Sequence, residues 1–405
     1  MARCRVCQQE TLEKFLSLGP TPLANRFLKR EQLEESEPSF PLDVYFCHTC
    51  GLVQLVDVVP AEVLFHDYPY LTGVSSPMRT HFAALAEDVA QEYHVGPGSL
   101  VVDIGSNDGT LLSGFRRFGP KTLGVEPAAN VAAMANAAGI QTINQFFGPA
   151  LAEEIARTRG PAQVVLATNV FAHVHDLDRF LQAVSVMLAA EGVLVIEVPY
   201  LVDMLNNTEF DTIYHEHLSY FAVRPMVALF SRFGMGIIDL TRQRVHGGSI
   251  RVAVQKSRAP QTPVVAQILN EEAERGLDSM RIYRDFAERV RMIGQELVDL
   301  LRSLRARGMR TVGYGAPAKG NTLLNFCKVG PDLLEYLVDA TPAKQGRFSP
   351  GMHVPVVPDT RFQADRPDYA LLLAWNYADE ILRKEAAYRE RGGKFITPFP
   401  RPAIL

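Results

Sequence analysis

The stretch Val101-Val102-Asp103-Ile104-Gly105-Ser106-Asn107-Asp108-Gly109-Thr110 decides how this chain is read. A buried strand ends in Asp103, a glycine-rich turn follows, and a helix begins beyond it. Gly105 carries no Cβ to obstruct close approach of a ligand to the backbone. Glu126 closes the next strand about twenty residues on, the spacing at which an acid hydrogen-bonds ribose hydroxyls. The turn departs from G-x-G-x-x-G, which presents a helix N-terminus to a pyrophosphate.

Asp103 and Asp108 would repel a pyrophosphate and suit a cationic ligand. S-adenosylmethionine, with a sulfonium, an ammonium and an adenosine ribose, meets those requirements. The bland alternative is a βα turn that binds nothing.

Outward from that stretch, residues 99–104, 122–125, 163–167 and 193–198 read as strands separated by amphipathic segments. That alternation predicts an α/β fold with a doubly wound parallel sheet covered on both faces. Residues 236–240 and 249–254 read as a hairpin appended to it, around His246-Gly247-Gly248. A helical pattern over residues 265–307 leads into a second α/β pattern, with strands at 311–313, 337–339 and 369–374. Three regions are expected: a small cysteine-bearing one (1–60), connecting helices and the central α/β domain (61–256), and a C-terminal α/β domain (257–405).

The 405 residues are 47% hydrophobic, too apolar for a disordered chain, and the net charge of -4 offers no basic face for nucleic acid. No apolar run reaches the roughly 20 residues of a membrane span, and the start lacks a signal-peptide stretch, so a cytoplasmic protein is expected. Cys4-x-x-Cys7 and Cys47-x-x-Cys50 pair four of the five cysteines. Two such knuckles place four thiolates at the corners of a tetrahedron, a structural Zn²⁺ site with no open position for catalysis. A redox C-x-x-C would need a thioredoxin-like βα turn, and none precedes either pair.

Three further groups carry polar chemistry. Thr168-Asn169-Val170-Phe171-Ala172-His173 follows a strand of the central sheet, where a ligand of an open α/β sheet sits. His173 is its candidate functional group. Tyr214-His215-Glu216-His217 puts four polar side chains between apolar segments. Extended geometry would send His215 and His217 to one side and Tyr214 and Glu216 to the other, a proton relay or a structural cluster. Gly313-Tyr314-Gly315-Ala316-Pro317-Ala318-Lys319-Gly320-Asn321 is a plausible diphosphate cradle, although not a Walker A sequence. Arg251 could add a second positive contact or lie on the surface.

Taken in order, the cysteine pairs, Asp103 to Thr110, Glu126-Pro127, Glu197-Val198-Pro199-Tyr200, Tyr214 to Tyr220, His246-Gly247-Gly248-Ser249 and Gly313 to Asn321 give the chain its resemblance to a known family. It resembles the S-adenosylmethionine-dependent C-methyltransferases that act on nucleotide-linked 4-keto deoxysugars, as for branched sugars such as D-tetronitrose. The resemblance implies a zinc-binding N-terminal domain, a class I methyltransferase (Rossmann-like) centre and a C-terminal Rossmann-like domain that helps bind the nucleotide sugar. It implies His217 as base, assisted by Tyr214 and Glu216, with His173 near the sugar and Tyr68 reaching the same cleft. Cofactor contacts are expected from Asp103, Gly105, Ser106, Asn107, Asp108, Gly109, Glu126, Pro127 and Asn169. Tyr200, Gly313, Tyr314, Gly315, Lys319 and Asn321 are expected on the nucleotide sugar, a thymidine-diphosphate one. The expected reaction methylates C3 through an enolate, in a monomer or weak homodimer. O- or N-methyl transfer, or nucleotide-sugar binding without catalysis, are the competing functions.

Overall fold

A computed structural model describes residues 2–65, 71–256 and 262–405. Its centre is a seven-stranded sheet in the order Gly236–Gln243, Ser249–Gln255, Leu188–Pro199, Ala162–Thr168, Leu100–Ile104, Lys121–Val125, Thr142–Ile143. All strands run parallel except Ser249–Gln255, which is antiparallel to both neighbours. Every residue of Leu100–Ile104 is buried, as a strand covered on both faces requires. The strand order reverses between Leu100–Ile104 and Ala162–Thr168, so the crevice at their carboxyl ends is where a ligand of such a sheet lies. The appended hairpin is present, with its second strand against Leu188–Pro199.

The N-terminal region forms a four-stranded antiparallel sheet from Leu12–Ser17, Asp43–Cys47, Val53–Leu55 and Ser219–Tyr220. The fourth strand is not local: it comes from the central region, immediately after His217. The sulfurs of Cys4, Cys7, Cys47 and Cys50 all lie within 4.8 Å of one another. Zn–S bonds of about 2.3 Å give a tetrahedron with edges of about 3.8 Å, so these thiols fit zinc. The ion would join the two ends of this short-stranded region, whose apolar residues are part of a core continuous with the other two regions.

The C-terminal sheet runs Val356–Val357, Leu337–Val338, Thr311–Tyr314, Tyr369–Leu372, Lys394–Thr397, Ala403–Ile404, parallel but for the last strand. The helical pattern expected over 265–307 is two helices, Pro263–Glu274 and Met280–Ala306. Gly276, at φ +74°, breaks the path, and the Ser279 side chain caps the second helix by accepting from the Arg281 amide. The first of them packs onto the central region. Its buried Glu272 accepts hydrogen bonds from the backbone amides of Val223 (2.7 Å) and Arg224 (3.0 Å). Among the described residues no helix is long and apolar enough to cross a membrane.

Because Ser219–Tyr220 completes the zinc-bearing sheet, stripping the metal should loosen the segment beside His217 as well as the knuckles. Hydrogen exchange of the chelated protein should show faster exchange at Tyr220 and Val53, with Val101 to Ile104 still protected. Unchanged protection at Tyr220 after verified zinc loss would contradict this.

Candidate active site

The glycine-rich turn is built by strand ends and held by backbone. The amides of Gly105 (2.7 Å) and Ser106 (3.2 Å) donate to the Val125 carbonyl, tying the turn to the neighbouring strand. Gly105 sits at φ +68°, and a Cβ there would come 2.2 Å from Val170 Cγ2. Its glycine is thus required by the loop carrying Asn169 and Val170, a different reason from the ligand approach expected of it. Glu126 accepts from the amides of Asn107 and Ala128, both at 2.9 Å, and burial raises its pKa. Asp103 is buried, its pKa pushed well above the usual carboxylate range by desolvation and then by Glu126. Neither Asp103 Oδ1 nor Ser106 Oγ has a hydrogen-bond partner among the described residues. A buried carboxylate oxygen without a donor is costly until one arrives, so this crevice fits a ligand bearing an ammonium and ribose hydroxyls.

Asn107 and Asp108 bond to the connecting segment. Asn107 Oδ1 accepts from the Thr72 amide (2.9 Å), and Asp108 Oδ2 from the Gly73 amide (2.7 Å). They fasten the connecting segment to the turn. Gly109, at φ +78°, starts the helix; Pro127 follows Glu126, its carbonyl accepting from Asn144 (2.9 Å); and Asn169, at φ +56°, donates its amide to the Glu197 carbonyl (2.7 Å).

Residues 214–217 form a turn, not an extended strand, so the expected alternation fails. The turn returns His217 to Tyr214, whose hydroxyl lies 2.8 Å from Nε2. On the other ring edge, Nδ1 is 2.7 Å from the Thr212 carbonyl. A carbonyl only accepts, so Nδ1 carries the proton, Nε2 holds the lone pair, and Tyr214 donates to it. The His173 ring meets His217 edge-on, centroids 4.9 Å apart, and burial lowers its pKa to about 4, leaving it neutral at physiological pH. His215 points away: its Nε2 lies 3.2 Å from the carbonyls of both Phe40 and Pro41 in the N-terminal region. Glu216 accepts from the Asn25 amide (2.6 Å), so its bond is to the N-terminal region. Tyr68 lies outside the described residues.

The glycine-rich C-terminal motif is largely packing. A Cβ on Gly313 would meet Leu337 at 2.5 Å, and one on Gly315 would meet Ala374 at 2.8 Å. Tyr314 is a core residue against Phe362 and Phe395, and its hydroxyl donates to Glu385 (2.7 Å). Tyr200 likewise spends its hydroxyl on buried Glu272 (2.8 Å). Both tyrosines are therefore corrected from sugar contacts to core residues: each aromatic ring is buried and each hydroxyl needs an internal acceptor. Asn321 is also buried, donating to the Ala24 carbonyl (2.7 Å), with its Oδ1 unpartnered among the described residues. Arg251 is neither a phosphate contact nor a surface residue, since it pairs with buried Glu197 (3.0 Å). Lys319 is half-buried, its ammonium 4.8 Å from the centroid of Trp375.

A cleft of about 780 Å³ opens between the central and C-terminal regions, lined among others by Arg242, Arg244, Gly247, Gly248, Trp375 and Tyr377. The arginines and aromatics of this cleft were not singled out in the sequence, although Trp375 is the chain's single tryptophan. Thr212, Asn25 and Asp211 were missed too, and no local pattern marks them.

Family models match three consecutive parts of the chain: a zinc binding domain over residues 4–65, a methyltransferase domain over 79–240, and a C-methyltransferase C-terminal domain over 244–400. The C-methyltransferase NovU of Streptomyces niveus is 40% identical over 404 residues, 99% of this chain and 96% of that one. A ubiquinone biosynthesis O-methyltransferase of Rhodopseudomonas palustris is 31% identical over 100 residues, 24% of this chain and 39% of its own. Among solved structures, a SAM-dependent methyltransferase from Anabaena variabilis is 15% identical, with a TM-score of 0.35 over 43% of this chain and 84% of that one. With four clustered thiols at one end, a methyltransferase sheet in the middle and 40% identity to a C-methyltransferase along nearly its whole length, the chain belongs to the S-adenosylmethionine-dependent C-methyltransferase family.

Proposed function

We propose that this C-methyltransferase acts on C3 of a nucleotide-linked 4-keto deoxysugar, with His217 as the base. The observation that carries the reading is the 2.7 Å contact between His217 Nδ1 and the Thr212 carbonyl, which leaves the Nε2 lone pair for a proton. A hydrogen on carbon next to a ketone is weakly acidic, so the base must act together with donors aimed at the ketone oxygen. His217 Nε2 takes the C3 proton, and the C–H electron pair moves into an enolate whose negative charge lies on the C4 oxygen. The Tyr214 hydroxyl, 2.8 Å from Nε2, is within reach of that oxygen once substrate displaces it. Neutral His173 can donate there too and adds no positive charge against the new imidazolium. Preorganised donors of this kind are typically worth about 2.7–4 kcal/mol each. The imidazolium is stabilised by Nδ1–H donating to Thr212 and is later discharged to solvent.

S-adenosylmethionine supplies an electrophilic methyl group when bound. Asp103 and Glu126 would hold its ammonium and ribose at the strand ends, from which His173 and His217 are reached through the loop after Thr168. Transfer of that methyl to C3 would break its bond to sulfur, whose electron pair stays on S-adenosylhomocysteine, and would re-form the ketone. The nucleotide part fits the 780 Å³ cleft, where Trp375 and Tyr377 offer aromatic faces and Arg244 offers positive charge.

His217→Asn should bind cofactor and nucleotide as the parent does while turnover falls by on the order of 10³-fold; near-native turnover would remove His217 as base. With S-adenosylhomocysteine bound and the substrate in deuterium oxide, the parent enzyme should exchange the C3 hydrogen. Absence of exchange in a competent complex would favour transfer to oxygen or nitrogen. Arg244→Gln should raise KM for the nucleotide sugar roughly tenfold and leave KM for the cofactor unchanged; equal KM values for the sugar would move the nucleotide out of this cleft.

A further inference from the structure

The carbonyl that orients His217 belongs to a short helical turn, Phe210–Thr212, and that turn is seated in the C-terminal region. Phe210 is buried against Phe326 and Phe399, with ring centroids 5.0 and 5.5 Å away. Asp211 is fully buried, and its Oδ2 accepts from the indole N–H of Trp375 at 2.7 Å. Trp375 in turn packs on Phe399, carries the Lys319 ammonium over its ring, and lines the interdomain cleft. On its other side the turn abuts Gly247, where any Cβ would collide with the Glu209 carboxyl at 2.3 Å.

Asp211 is a buried carboxylate that accepts the indole N–H and feels the nearby Lys319 ammonium, a polar arrangement that packing alone does not call for, since a hydrophobic residue would fill the space without desolvating a charge. We propose that Asp211 and Trp375 are a positioning pair for the reaction: the cleft-lining indole fixes Asp211, Asp211 fixes the turn, and the Thr212 carbonyl fixes the tautomer and orientation of the base. The occupant of the cleft is a nucleoside diphosphate sugar, so the same tryptophan that meets the substrate also sets the catalytic imidazole. This rests on the reading of His217 as base. Charged and titratable groups around the pair are Lys319, Glu209 and Asp211 itself; those around the imidazole are Tyr214 and His173.

The test is steady-state kinetics across pH for Trp375→Phe, Asp211→Ala and the double variant of the full chain. Trp375→Phe keeps an aromatic ring in the cleft and removes the donor. It should lower kcat roughly tenfold with KM for the cofactor unchanged, the scale of effect expected when a catalytic group is slightly misplaced. The acid limb of kcat/KM should move to lower pH, because an imidazolium that loses its carbonyl acceptor is less stable. Asp211→Ala should shift the limb in the same direction, and the double variant should be no worse than the worse single. Should Trp375→Phe not fold, Asp211→Ala gives the same reading. An unmoved acid limb, additive losses, or kcat within twofold of the parent would each overturn the coupling. If His217→Asn keeps turnover, the base assignment has failed instead, and the two failures are distinguished.

Discussion

One hydrogen bond, from the His217 ring to the Thr212 carbonyl, is the constraint on which the proposed chemistry depends. Imidazole can abstract a proton only from the nitrogen that lacks one, and the carbonyl decides which nitrogen that is. The rest of the architecture can be understood as holding these two residues in register. They lie five positions apart on one segment of the chain.

The two ends of that segment are fixed by different regions. On the upstream side, Phe210 and Asp211 are embedded among C-terminal side chains. On the downstream side, His215 and Glu216 bond to the N-terminal region, Arg5 donates to the Leu218 carbonyl (3.0 Å), and Ser219–Tyr220 joins its sheet. Adjacent residues Ala24 and Asn25 even reach both ways, to Asn321 and to Glu216. The central sheet supplies the cofactor crevice and, through His173, a neutral partner for the base. The small zinc-binding region thus holds the downstream side of the segment that carries the proposed base, which gives a metal site without an open coordination position a structural part in that proposal.

The fold was legible where pattern reflects burial. The strand ending in Asp103 and the almost wholly apolar 193–198 run could only be strands covered on both faces, and the cysteine spacing announced its tetrahedron. What failed was the assignment of side-chain direction. His215 and His217 are indistinguishable as letters, yet a turn sends one to the N-terminal region and the other to the site. Glycines that cradle an anion and glycines that admit a neighbouring leucine look alike, and Gly313 is of the second kind. Tyr200 and Tyr314 carried motif positions, but their hydroxyls are satisfied inside the core. Asp211 left no trace at all, because its role depends on a tryptophan 164 residues away.

Long-range proton–nitrogen NMR of the histidine rings, at a pH where they are neutral, tests the account most directly. His217 is expected as the Nδ1–H form, with Nε2 at a chemical shift characteristic of an unprotonated ring nitrogen. A His217 signal showing the proton on Nε2 would contradict it, since the lone pair would then face the Thr212 carbonyl and no base would stand at the substrate.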